Sequence, residues 1–259
     1  MTALALSVAV FLSLAMAGGW ALAQSTGRSG YIDSVWSAAT GAACAWAALG
    51  AGGDPARRWL VAGMSVLWGG RLAFYLWRRA AHGPDDPRYA ALKQEWGEAA
   101  GRQLFIFLQV QAAAALPLAL AAYFAASAPR AGIGPQDILG LAIFVAALAG
   151  ETIADRQMAA FKADPANKGK VCDTGLWAWS RHPNYFFEWL GWLAYPAIAL
   201  SVDRPTSLLA LGAPILMYVL LARVSGVPPL EAHMKRSRPE AFAAYAARVR
   251  EFWPRPPRP

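Results

Sequence analysis

The chain has 259 residues, of which 57% are hydrophobic and only 15% charged, and it carries a formal net charge of +8. Soluble globular domains devote about a quarter of their residues to charge, so the composition excludes an ordinary soluble domain and points to a membrane protein. Two cysteines and three histidines provide neither a disulfide framework nor an evident metal cluster.

Charge-free stretches run over Met1–Gly27, Ser34–Gly53, Leu104–Pro129 and Pro205–Ala222, close to or beyond the roughly 20 residues that a helix needs to cross a bilayer. The first has no Lys or Arg within Met1–Val10, so it reads as an uncleaved span and not as a signal peptide. Asp33 opens the second span, three residues before Trp36. It is either a helix cap at the membrane surface or a carboxyl group facing a cavity, where burial would raise its pKa.

The third span, Trp59–Trp77, contains Arg71, with Trp68 and Tyr75 on the same helical face. A cation within a span is costly, which makes Arg71 a functional suspect. In the loop that follows, Asp86-Pro87 has the form of an N-cap and first helical residue. Tyr89, Leu92, Trp96 and Ala99 recur at helical spacing after it and predict a short interfacial helix.

The fifth span, Ile138–Phe161, carries Glu151 and Asp155 four residues apart at its inner end. The sixth, Asn184–Val202, begins with Asn184 and Glu188 at the same spacing. Together these pairs predict a polar pocket at one mouth of the bundle. Between them lies a loop holding Lys162, Lys168, Lys170, Trp179, Arg181 and His182, followed by Pro183-Asn184-Tyr185. Pro183 suits the first position of a helix, and free N–H groups, helix dipole and Arg181 would together favour a pyrophosphate there.

Beyond the last span, Ser225-Gly226-Val227-Pro228-Pro229 breaks the helix. The tail, from about residue 223 to 259, shows one face of Phe242, Tyr245, Val249 and Phe252, expected to lie on the headgroups, and an extended end over Pro254–Pro259.

Seven spans are therefore expected in a single all-α domain. Of the 24 Lys and Arg residues, 19 fall on one side of such a bundle and 4 on the other. This bias places the N-terminus outside and the C-terminus in the cytoplasm, with the bacterial inner membrane as the expected location. It also accounts for the basic balance without a nucleic-acid partner.

Arg181-His182-Pro183-Asn184-Tyr185 with Glu188-Trp189, preceded by Gly175-Leu176-Trp177 and followed by Ser225–Glu231, resembles the bacterial branch of the steroid 5-alpha-reductase family. Trp68–Leu72 and Asp33–Trp36 extend the resemblance over most of the chain from about residue 31. The Arg-His-Pro core is shared with sterol C14-reductases and isoprenylcysteine carboxyl methyltransferases.

The resemblance implies a seven-helix enzyme that uses NADPH to reduce the C4=C5 double bond of a 3-oxo-Δ4-steroid or similar enone entering from the lipid, with no metal. It implies cofactor contacts from Asp155, Lys162, Lys168, Lys170, Trp179, Arg181, His182, Asn184, Tyr185, Glu188 and Glu231, mostly within a loop at about 155–183. Asp33, Arg71 and Tyr75 are the catalytic candidates. The family places a glutamate in the second span and a tyrosine in the third on the 3-oxo group. Here Asp33 is the nearest acid, Trp68 stands where that tyrosine would be, and Tyr31 or Tyr75 would have to replace it. The alternatives are an S-adenosylmethionine-dependent methyltransferase and a lipid-binding protein without catalysis.

Overall fold

A computed structural model describes residues 2–83 and 85–256. Among them the regular structure is entirely helical, with no strand. The α-helices are α1 (Thr2–Thr26), α2 (Ile32–Leu49), α3 (Pro55–His82), α4 (Pro87–Trp96), α5 (Ala100–Ala126), α6 (Pro135–Ala163), α7 (Pro183–Trp192), α8 (Ala194–Ala199), α9 (Gly212–Val219), α10 (Val227–Ser237) and α11 (Pro239–Arg248). Five helical stretches are long and apolar enough to cross a membrane: Thr2–Thr26, Pro55–His82, Pro87–Ala126, Pro135–Ala163 and Pro205–Ser237. Leu6, Val10 and Leu14, spaced by one turn along α1, are exposed. Such a stripe is costly in water and at home against acyl chains. The chain is a multi-pass membrane protein.

The remaining apolar segments take other forms. The second is the 18-residue α2, diluted by Ala, Ser, Thr and Gly. The sixth is interrupted at Leu193 into α7 and α8. Pro196 explains the interruption: it has no N–H to give the Trp192 carbonyl, and it disfavours helical backbone at Tyr195. The last opens with a 3₁₀ stretch, Pro205–Leu211, before α9, and closes in a π-helical turn, Leu220–Val224.

The chain divides into two compact units, Met1–Ile138 with Tyr195–Ala213, and Leu139–Ala194 with Pro214–Pro259. In the first, α2 and α3 cross at Gly41 and Gly69. A Cβ on Gly69 would lie 2.8 Å from the Gly41 Cα and the Ser37 carbonyl oxygen, and a Cβ on Gly41 would lie 2.9 Å from the Gly69 Cα. Small residues allow two backbones to pack directly where lipid supplies no hydrophobic drive. Ser65, one turn before Gly69, shares a 3.1 Å hydrogen bond with the Tyr195 hydroxyl.

At one end of this unit Arg57 and Asp137 form a fully buried ion pair, with Nε–Oδ1 at 2.6 Å and Nη2–Oδ2 at 2.9 Å. Arg57 Nη1 also donates to the Arg130 carbonyl at 2.7 Å, so the charge is desolvated but not left without acceptors. The pair fixes the turn between α5 and α6 against α3.

In the second unit the tail departs from the sequence expectation. Phe242, Tyr245, Val249 and Phe252 do not lie on headgroups; all four are buried in protein. Phe252 packs with Ala222 and Val227 against Tyr185, Phe186, Trp189 and Tyr218. The other three pack against Val171 and Met234. Aromatic side chains gain more from such T-shaped packing than from a half-wet interface. The backbone N–H of Arg255 is tied to the Trp179 carbonyl at 2.9 Å, so the expected extended end begins as a held segment, and its last three residues lie outside those described.

Gly69→Leu is expected to destabilise the protein by about 1–3 kcal/mol through overpacking of the α2–α3 crossing. Gly70→Ala, with nothing within 4 Å of its added Cβ, should be neutral or slightly stabilising. Thermal unfolding of both variants in detergent checks the contrast.

Candidate functional site

In the second unit the motif turn is built from three directions. Gly175 starts a 3₁₀ turn, Gly175–Ala178, with φ at +58°, a left-handed conformation that favours glycine. The Gln157 side chain of α6 would sit only 2.5 Å from a Cβ there, and its oxygen accepts the Leu176 N–H at 2.9 Å. Trp177 donates its indole N–H to the Ala154 carbonyl at 3.0 Å, hooking the turn onto α6. From the tail side, the Tyr245 hydroxyl donates to the Trp177 carbonyl at 2.6 Å, and Ser180 Oγ donates to the Phe252 carbonyl at 2.9 Å. Burial pushes the Tyr245 phenol up from its ordinary pKa, so it remains a hydrogen-bond donor at any physiological pH.

Arg181 and His182 converge on Glu231 of α10. Arg181 Nε and Nη2 each lie 2.7 Å from Glu231 Oε1, and Nη1 donates to the Val249 carbonyl at 2.7 Å. The guanidinium also lies over the Phe242 ring, 5.7 Å from its centroid. His182 Nε2 is 3.2 Å from the same Glu231 oxygen, and its ring stacks on Tyr185 at 5.8 Å and 10°. All three guanidinium nitrogens of Arg181 are thus committed within the protein, and Glu231 faces inward. The sequence reading placed both among cofactor contacts; the structure makes them the tie between the motif turn and the tail.

α7 starts as expected, with His182 as the preceding residue and Pro183 at its first position. Asn184 Nδ2 donates to Asp155 Oδ1 at 3.4 Å, joining α7 to α6. Glu188, one turn on, accepts the Trp192 indole N–H at 3.0 Å, and both Glu151 and Glu188 are buried. The two expected polar pairs therefore occupy one neighbourhood. Lys162 in the last turn of α6 is exposed, as are Lys168 and Lys170 on the loop and Trp179.

Beside Glu231 a groove of about 410 Å³ is lined by Ala222, Arg223, Val227, Pro228, Glu231, Ala232, Lys235 and Glu251. Two cations and two carboxylates line it above an apolar floor, and the cations are groups of the kind that hold a phosphate. The exposed lysines and the amide of Asn184 belong to the same chemistry.

In the first unit, Asp33 does not cap α2; that position belongs to Tyr31, which makes no side-chain cap. Its carboxylate is gripped by two residues of α4. Arg88 Nη2 pairs with Oδ2, and the Tyr89 hydroxyl donates to Oδ1 at 2.7 Å. Gln111 Nε2 of α5 lies 3.4 Å from the Tyr89 hydroxyl. Arg88 is itself held by Asp86, the N-cap of α4, through Nε at 3.0 Å and Nη2 at 2.7 Å. Burial alone would raise the Asp86 pKa, but Arg88 outweighs it and the carboxyl is held below its ordinary value. Arg71 is half-buried, beside the buried Trp68 on α3, and Tyr75 is exposed.

Sequence reasoning missed Arg88, Tyr89 and Gln111. Tyr89 was read only as part of an apolar face, and nothing in a 56-residue separation announces its contact with Asp33. Ser180 and Tyr245 were also missed. Among the described residues no group of three or more His, Cys, Asp or Glu is placed to hold a metal.

Residues 19–249 match the family described as "Protein of unknown function (DUF1295)", and the chain belongs to that family, which is related to the steroid 5-alpha-reductases. No curated protein and no solved structure matches the chain.

Glu231→Ala is expected to cost about 3–5 kcal/mol of stability, because it strands Arg181 in a nearly dry setting. Glu231→Gln, which keeps one acceptor, should cost less. Unfolding of the two variants in detergent, compared with wild type, measures the difference.

Proposed function

We propose that this member of the DUF1295 family is an NADPH-dependent reductase of the C4=C5 double bond of a 3-oxo-Δ4-steroid or a similar enone lipid within the membrane. Its relation to the steroid 5-alpha-reductases supports this reading. The observation that carries it is the Asn184–Asp155 contact, which joins the motif asparagine to the acidic residue of α6 beside a lysine-bearing loop. Asn184, Asp155, Lys162, Lys168 and Lys170 would hold the cofactor, with Trp179, Tyr185 and Glu188 nearby in the chain. Arg181, His182 and Glu231 keep the turn in shape.

When bound, NADPH supplies a hydride to C5 of the enone. The electron pair then moves onto the C3 oxygen, which needs hydrogen-bond donors, and a proton must reach C4. Arg88 and Tyr89, both held by Asp33, would supply those donors. Tyr89 provides the phenol that Trp68 displaces from α3, and its hydroxyl proton is the one on offer. Preorganised donors of this kind are worth several kcal/mol when water is excluded. Tyr75, exposed on α3, has no part in this scheme. Arg71 remains a cation within the span, and its charge favours negative charge developing on substrate oxygen.

The accompanying topology has seven crossings, an outer N-terminus and a cytoplasmic C-terminus, in the bacterial inner membrane. The 19-to-4 bias of basic residues supports it. An apolar substrate enters sideways from lipid.

The first test is thermal stability of the detergent-purified protein with NADPH or S-adenosylmethionine. NADPH at a hundredfold excess over Kd should stabilise it by about 2.7 kcal/mol; a shift with S-adenosylmethionine alone would sink the reductase and favour the methyltransferase. Asn184→Ala should lose turnover while remaining folded. Asp33→Asn and Tyr89→Phe should each lower the rate at saturating NADPH on the order of a hundredfold, with NADPH affinity unchanged. Loss of cofactor affinity in either would place the pair in the wrong site.

A further inference from the structure

The end of the tail has its backbone committed on one side and its side chains free on the other. The Arg250 carbonyl accepts the Arg181 N–H at 2.8 Å, and the Phe252 carbonyl accepts Ser180 Oγ at 2.9 Å. The Arg255 N–H donates to the Trp179 carbonyl at 2.9 Å. Phe252 turns inward and is buried, whereas Arg250, Trp253 and Arg255 are exposed. Glu251, the acid among them, goes to the groove that Arg223 and Lys235 line. The exposed side of this segment is therefore one indole between two guanidinium groups.

The packing of Trp253 shows what that side meets. Its ring lies 5.8 Å from the Tyr218 ring at 29° and 5.0 Å from the Trp189 ring. Tyr218 belongs to α9, within a stretch long and apolar enough to cross the membrane. Ile215, three residues earlier on the same helical face, is 63% exposed, and Val219 is exposed as well. Apolar side chains so placed on a spanning helix face acyl chains. Trp253, itself 45% exposed, continues that lipid-facing surface beside the π-helical turn Leu220–Val224, where α9 ends. An amphipathic indole at such a border sits at headgroup level. The arginines on either side of it then stand where a leaflet presents its phosphates, and their charge is complementary to anionic lipid.

We infer that the tail end is a headgroup anchor: Arg250 and Arg255 engage the phosphates of anionic phospholipids, and Trp253 is seated between them at the lipid boundary. The aromatic face of α11 takes no part, since protein covers it. The same segment holds residues 179–181 through its backbone, so anionic lipid braces the motif turn from outside. The anchor concerns the leaflet and not the cofactor, and it does not rest on the reductase reading.

The test uses the full chain in nanodiscs of mixed phosphatidylcholine and phosphatidylglycerol. Native mass spectrometry counts the lipids that stay on the released protein. Wild type should keep phosphatidylglycerol in excess of its share of the nanodisc. Arg250→Gln and Arg255→Gln should each lower that enrichment about fivefold, the worth of one arginine at an anionic surface. Lys235→Gln, which removes an exposed charge elsewhere in the same unit, should leave it unchanged. An equal loss in Lys235→Gln, or no loss in either arginine variant, overturns the inference. A wild type that keeps the two lipids in the nanodisc's own ratio overturns it without any variant. Independently, Trp253→p-benzoylphenylalanine should cross-link to phospholipid on irradiation. Absence of a lipid adduct overturns the anchor; an adduct with a second copy of the chain in its place makes this surface a contact between copies. None of these outcomes bears on NADPH binding, so the reductase reading stands or falls separately.

Discussion

Arg181 makes five contacts, four through its side chain and one through its backbone. It pairs with Glu231 through two nitrogens, caps the Val249 carbonyl through the third, lies over Phe242, and its own backbone N–H meets the Arg250 carbonyl at 2.8 Å. The motif turn, α10, α11 and the tail end are all drawn to that point. Without it the tail would have no reason to bury Phe242 and Tyr245 in place of leaving them at an aqueous interface. A nearly buried ion pair is weak evidence for stability, since desolvation offsets much of the attraction. Its value here is in specifying geometry: one carboxylate oxygen fixes an arginine and a histidine at once, and the histidine is the residue on which α7 begins.

The first unit follows the same logic with different parts. Asp33 is useful only if its orientation is set, and α4 sets it. Asp86 caps that helix and holds Arg88; Arg88 and Tyr89, successive residues at its start, then reach Asp33. A short interfacial helix thereby becomes a positioning device. The glycine crossing of α2 and α3 is a precondition, since Ser34 Oγ can meet the Ala73 carbonyl at 2.8 Å only because the two helices run so close.

What a sequence reveals about such a protein is what is local. Long apolar runs with few or no charges announced α1, α3, α5 and α6, because hydrocarbon demands length and apolarity in a single stretch. Asp86-Pro87 and His182-Pro183 announced their helices, since caps are chosen within three or four residues. Asp155 and Asn184 were legible as a pair of pairs, each spaced one helical turn. Pro196 was visible, yet the apolarity around it hid the break between α7 and α8. The tail's aromatic face was read correctly as a face; whether lipid or protein covers it depends on partners elsewhere in the chain, Val171, Tyr185 and Trp189 among them. Arg181–Glu231 and Asp33–Tyr89 span 50 and 56 residues, and no period or motif connects their ends.

That limit bears on the anion site. From the sequence, Arg181 beside a helix start and three lysines looked like one basic patch for a phosphate. In the fold the arginine is paired with Glu231, and exposed cations stand elsewhere, at Lys168 and Lys170 on the loop and at Arg223 and Lys235 beside the groove. An ion-paired guanidinium holds shape better than it holds ligand, because a phosphate would have to displace a carboxylate already in contact. In the proposed reading, shape and anion recognition thus fall to different cations of the second unit: recognition to exposed ones, where exchange is cheap, and shape to Arg181, where it is not.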